Sequence, residues 1–181
     1  MQPDTQQQRE GAATHGLAGD KLTGADAAIA AEYRRQAHSG ANWFFWIAGF
    51  SVVNSIILLA NGQWNFLIGL GLTQLIDGVA TVAAERMGGA ATGIALILDA
   101  MVAGFFIVMG LLARRGFGWA FVLGMVVYVL DGLLFLYVQQ WLNIAFHGLA
   151  LYYIYRGFAA NSKLRTLQAE AAFTPPPPPS I

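Results

Sequence analysis

Between residues 42 and 158 the chain alternates long apolar stretches with short polar breaks. Five stretches, 42–60, 64–84, 93–113, 118–139 and 141–158, have about the 20 residues a helix needs to cross roughly 30 Å of hydrocarbon. The breaks are of turn or charged type: Asn61-Gly62-Gln63, Glu85-Arg86 followed by Met87-Gly88-Gly89, and Arg114-Arg115-Gly116. The pattern predicts an all-α fold: a polytopic, multi-pass integral membrane helical bundle of about five transmembrane helices with short loops. Trp43, Trp46, Trp64, Trp119 and Trp141 fall near the proposed helix ends, where an indole sits at headgroup depth. Arg156 lies in the last turn of the fifth helix and has to snorkel to the interface.

The flanks read differently. Residues 1–21 are rich in Gln, Gly, Asp and Thr with no apolar core, which predicts a disordered polar tail and no cleavable signal peptide. Within 22–41, Thr23-Gly24-Ala25-Asp26 resembles a capping box opening a helix through about Ala37. That helix either lies along the membrane surface as an amphipathic element or acts as a soluble linker. In 159–181 a polar helix continues to Phe173 before a run of five prolines that opens at Pro175 and closes at Pro179. Such a run favours polyproline II, which either docks on a partner's aromatic groove or forms a stiff tail without a role.

Composition narrows the class. The chain is 56% hydrophobic and 11% charged, against about a quarter charged for an ordinary soluble domain, so disorder and a soluble globular fold are both excluded. The lipid bilayer is the expected partner. Ten basic and ten acidic residues cancel, and no block of like charge exists to grip a nucleic-acid backbone. With no cysteine, disulfides, thiolate metal sites and thiol chemistry are excluded. Five strictly alternating spans put Arg34, Arg35 and Arg86 on one side and Arg114, Arg115, Arg156, Lys163 and Arg165 on the other. The count favours the second side as cytoplasmic, whereas Arg34 and Arg35 just before the first span favour the first, so orientation stays open.

Four successive helices each carry one ionisable residue inside the apolar run: Asp77, Asp99, Asp131 and His147. Each follows two apolar residues and precedes a small one, Gly78, Ala100, Gly132 or Gly148, which predicts close helix approach at these points. Counted from the helix end on the side of the N-terminal tail, the four lie six to eight residues deep, about 9–12 Å. They are expected to form one layer. Polar neighbours share their faces: Thr73, Gln74 and Thr81 with Asp77, Tyr128 with Asp131, and Asn143 with His147. A charged side chain at depth costs about 2.5–3.5 kcal/mol on insertion scales, so these faces should turn inward. Asn54, with Ser51 and Ser55, adds a polar patch whose count from the same side places Asn54 beneath the layer.

Three carboxylates in one apolar pocket cannot all stay ionised without compensation. No Lys or Arg lies at that depth, so protons, a protonated His147 or a bound divalent metal ion such as Zn²⁺, Mn²⁺ or Fe²⁺ must supply it. Asp77, Asp99, Asp131 and His147 are the candidate ion, proton or metal ligands, with Asn54, Gln74, Tyr128 and Asn143 in support. Three readings follow. The layer is an ion or proton site in a small carrier or channel; or it only hydrogen-bonds helix to helix, at about 0.6 kcal/mol each; or a metal-activated water makes an intramembrane hydrolase. A non-enzymatic role is the favoured side of that choice, and a scaffold displaying its tails is a further alternative. Five short-looped helices enclose little volume, which makes a homo-oligomer plausible. Gly89 and Gly93 form a Gly-x-x-x-Gly pair, suited to a close helix contact or a flexible loop. His15 and His38 read as solvated.

Overall fold

The computed structural model describes residues 24–59, 70–87, 89–137 and 139–173, and every element among them is an α-helix. In chain order these are α1 (Gly24–Leu59), α2 (Gly71–Met87), α3 (Gly89–Arg114), α4 (Gly118–Tyr137) and α5 (Trp141–Phe173). The expected tail at 1–21, Thr23, the 61–63 turn, Trp64 and the prolines from Pro175 to Pro179 lie outside the described residues.

Three described helices are long and apolar enough to cross a membrane, over Gly24–Ile57 in α1, Ala90–Arg114 in α3 and Gly118–Tyr137 in α4. That is fewer than the five anticipated. The shortfall has two causes. The described length of α2 is 17 residues, and the first half of α5 is diluted by Asn143, His147 and Arg156. The outward faces are apolar, with Ile56 58%, Ile97 64%, Met101 66% and Leu130 59% exposed, while Asp99, His147 and Asn143 are buried. This is the reverse of a water-soluble bundle and suits a lipid surround.

Aromatic rings and alanines fill the core. Phe44, Phe106, Phe121 and Tyr128 are fully buried among Ala41, Ala48, Ala103, Ala120 and Ala150. The closest helix approach is between α1 and α5, where a Cβ on Gly40 would lie 2.5 Å from the Gly157 Cα. Gly124 similarly lies beneath the Phe44 ring. Close approach at Gly78, Ala100 and Gly148 does not occur: a Cβ on Gly78 or Gly148 would meet open space, and Ala100 is exposed. Gly93 is likewise open. The residue after an inward-facing Asp or His is about 100° further round the helix and so points outward. Gly132 alone of the four small neighbours packs, against the His147 ring at 3.1 Å.

Helix directions differ from strict alternation. Trp43 stacks on Tyr153 (5.0 Å, 9°), Lys163 lies over the Tyr33 ring, Arg114 lies over the Phe45 ring and Ser55 meets Asp99. Thus α1 runs antiparallel to both α3 and α5. The helix anticipated at 22–41 is the first half of α1, continuous with the span that follows. It pairs with the second half of α5, so Arg34 lies beside Arg114, Arg115 and Arg165 rather than opposite them.

The reason lies in α2. Leu70 is buried and non-helical, and the helix begins at Gly71 rather than at Trp64. Gly71 packs against Leu134 and Phe135, well inside the bundle. Asp131 caps it there: Oδ2 accepts from the Gly71 amide at 2.9 Å and Oδ1 from the Leu72 amide at 2.8 Å. A helix start leaves four amide N–H groups without intrahelical partners, and this carboxylate satisfies two. From that point α2 packs antiparallel to α3, which brings Asp77 level with Asp99.

Left-handed residues end α3 and α4. Gly116 (φ 87°) closes α3 with Phe117 N–H donating to Leu112 O at 3.1 Å and Gly116 N–H to Ala113 O at 3.0 Å, the Schellman pattern. Gln139 (φ 56°) does the same for α4, with Gln140 N–H on Phe135 O and Gln139 N–H on Leu136 O.

Candidate functional site: two polar pairs inside the bundle

The four ionisable residues are all buried, but they form two pairs instead of one layer. Asp131 on α4 meets His147 on α5; Asp77 on α2 meets Asp99 on α3. Asp131 caps the start of α2, and Asp77 stands six residues further along that helix, about 9 Å of rise. No three His, Asp or Glu side chains converge on a common point among the described residues. The divalent-metal expectation for Asp77, Asp99, Asp131 and His147 therefore lacks its ligand set, since a metal-activated water needs about three protein ligands.

In the Asp131–His147 pair every polar atom is engaged. The Asn143 carbonyl lies 2.8 Å from His147 Nδ1 and can only accept, so Nδ1 carries a proton. Nε2 lies 2.9 Å from Asp131 Oδ2. A single proton lies between those two atoms, and the pair is neutral overall whichever of them holds it. Both carboxyl oxygens also accept the α2 amides. The imidazole is stacked on Tyr128 at 4.2 Å and 13°, with Phe135 tilted against its other surroundings at 5.2 Å. Three of the four lone-pair sites of the carboxylate and both ring nitrogens are thus taken. The arrangement clamps α2, α4 and α5 together.

The Asp77–Asp99 pair is built differently. Ser55 Oγ on α1 lies 2.8 Å from Asp99 Oδ2 and 3.2 Å from the Ser51 carbonyl. A hydroxyl has one hydrogen, so it serves one of these acceptors at a time. Asp99 Oδ1 is buried and receives no hydrogen bond from a serine, an amide or a cationic group. The carboxyl of Asp77 lies within interaction range of Asp99. Two acids thus face one another inside the bundle, and only Asp99 carries the Ser55 hydroxyl.

The supporting residues separate as well. Tyr128 stacks on His147, and Asn143 contributes its backbone carbonyl rather than its amide group. Asn54 and Gln74 are half-buried and hydrogen-bond to none of the four among the described residues. Asn54 does not lie beneath the others, because α1 runs opposite to the direction that strict alternation implies. From Ala60, Ser55 is five residues away and Asn54 six, level with Asp99, which is six from Gly93. Reversing α1 is the signal that would have found Ser55. Nothing local in the sequence marks Asp131 as the cap of a helix 60 residues earlier.

No protein-family model matches the chain, and no curated protein and no solved structure matches it either.

Proposed function

We propose that this chain is a multi-pass integral membrane protein in which α1, α3, α4 and α5 cross the bilayer, α2 enters part-way, and the Asp77–Asp99 pair holds and passes a proton. The observation that carries the reading is the facing of two buried carboxyls, Asp77 and Asp99, with the Ser55 hydroxyl on Asp99 Oδ2. Two like charges in an apolar surround need a compensating charge, and a single proton between them supplies it. Intramembrane carboxylates mark ion and proton paths by default. Ser55 accommodates both states of Asp99: its hydroxyl donates to Asp99 Oδ2 when that carboxyl is ionised, and turns to the Ser51 carbonyl when Asp99 is protonated.

An even number of crossings puts both ends of the described chain on one side, in keeping with Arg34 and Arg165 lining one cavity. Arg114 and Arg115 lie there too, and the positive-inside rule makes that side cytoplasmic. A second reading, a bundle whose polar groups only hold helices together, is favoured by one observation: the Asp131–His147 pair has no unused hydrogen-bonding atom.

Proteoliposomes with a pH-sensitive dye inside separate the two. The proton reading expects wild-type and His147→Gln vesicles to dissipate an imposed pH gradient and Asp99→Asn vesicles to match protein-free ones. Equal leakage by wild type and Asp99→Asn leaves the structural bundle.

A further inference from the structure

Where the paired arms of α1 and α5 meet the α3–α4 turn, a cavity of about 550 Å³ opens at the end of the bundle. Its volume is in the range of small-molecule sites. Arg34 and His38 come to it from α1, Arg114 and Arg115 from the end of α3, and Arg165 and Gln168 from α5; no acidic residue lines it. Four arginines from α1, the α3–α4 turn region and α5 therefore line one cavity without a carboxylate, Arg114 with its guanidinium also over the Phe45 ring. Arg35, the neighbour of Arg34, is held instead by Glu32 at 2.8 Å, and no such ion pair reaches Arg34, Arg115 or Arg165 among the described residues. The cavity floor is fixed: Asn161 is buried and its Nδ2 donates to the Gly116 carbonyl at 3.2 Å, anchoring the turn that carries Arg114 and Arg115.

We propose that this cavity binds a phosphate-bearing anion at headgroup depth. Guanidinium forks match phosphate oxygens in pairs, which lysines would not do. Its position at the limit of the apolar helices is marked by exposed Phe117, which lines it, and by exposed Trp119 two residues on, Trp being a type enriched at the membrane interface. Basic pockets at the cytoplasmic ends of transmembrane helices recognise anionic headgroups by this chemistry. Sidedness alone asks only that arginines lie on one face; it does not ask four of them to converge on one cavity while a fifth is paired away.

The phosphate has two sources, an anionic phospholipid or a soluble phosphate compound, and the test distinguishes them. The full chain in neutral detergent is melted with added phosphatidylglycerol, with phosphatidylcholine, and with inorganic phosphate against chloride at matched ionic strength. A rise of Tm with phosphatidylglycerol alone assigns the site to the lipid headgroup, and a rise with inorganic phosphate assigns it to a soluble phosphate. In either case the rise must fall by half or more in the Arg115→Gln/Arg165→Gln double variant and persist in Arg35→Gln, which removes a charge from the same face outside the cavity. No rise beyond phosphatidylcholine and chloride, or a rise that the double variant retains, overturns the proposal. Native mass spectrometry of the wild type gives a second reading independent of the variants: bound phosphatidylglycerol or phosphate adducts are expected, and their absence after incubation with either counts against the site.

Discussion

Asp131 and Asp99 have near-identical sequence settings, each after two aliphatic residues and before a small one, and each is buried. Asp131 meets two amides and an imidazole, so both its oxygens are engaged with groups fixed on two other helices, α2 and α5. Asp99 meets one rotatable hydroxyl and another acid. A carboxyl surrounded by fixed donors is a bolt, because any change of proton or position leaves buried N–H groups unsatisfied. A carboxyl facing an acid and a hydroxyl has interchangeable arrangements of nearly equal hydrogen bonding, and that is what proton transfer requires.

The comparison breaks most visibly at Asp131. Asp131→Leu removes the cap of α2 and the partner of His147 together and is expected to cost about 3–5 kcal/mol, the range for breaking a buried pair, read as a large drop in Tm in detergent. Asp131→Asn keeps one acceptor and costs about 1–3 kcal/mol. Asp99→Asn, by contrast, is expected to leave Tm nearly unchanged while abolishing proton flux in vesicles. If Asp99→Asn melts as early as Asp131→Leu, the distinction between bolt and relay is wrong. Ser55→Ala sharpens the account, with a loss of about 1 kcal/mol and slowed flux. The smallest effect tests the helix ends: Gln139→Gly relieves a left-handed non-glycine residue and stabilises by about 0.5–1 kcal/mol without touching flux.

Helix type and the inward polar faces were legible in the sequence, because Asp77, Asp99, Asp131 and His147 cannot face lipid and all four are buried. The start of α2 was not. The stretch from Trp64 to Leu70 is apolar but for Asn65 and carries no charge to mark a break, and what begins the helix at Gly71 is a carboxylate far along the chain. That one omission reversed α1 against the other helices, hid the Ser55–Asp99 contact, and set Arg34 apart from Arg114, Arg115 and Arg165. Gly40 and Gly157 were missed for a related reason: their role depends on which helices are neighbours, which pattern alone does not give. Glycines beside the polar residues attracted attention by position, although the 100° step between consecutive helical residues turns them outward.

The central claim, that Asp77 and Asp99 share a proton while Asp131 and His147 form a fixed clamp, is tested most directly by infrared spectroscopy of the protonated carboxyl C=O stretch in detergent at neutral pH. The account predicts a buried, protonated carboxyl band in the wild type that shifts in heavy water, changes in both Asp77→Asn and Asp99→Asn, and survives in His147→Gln. A band absent from the wild type, or unchanged in both asparagine variants, would contradict it.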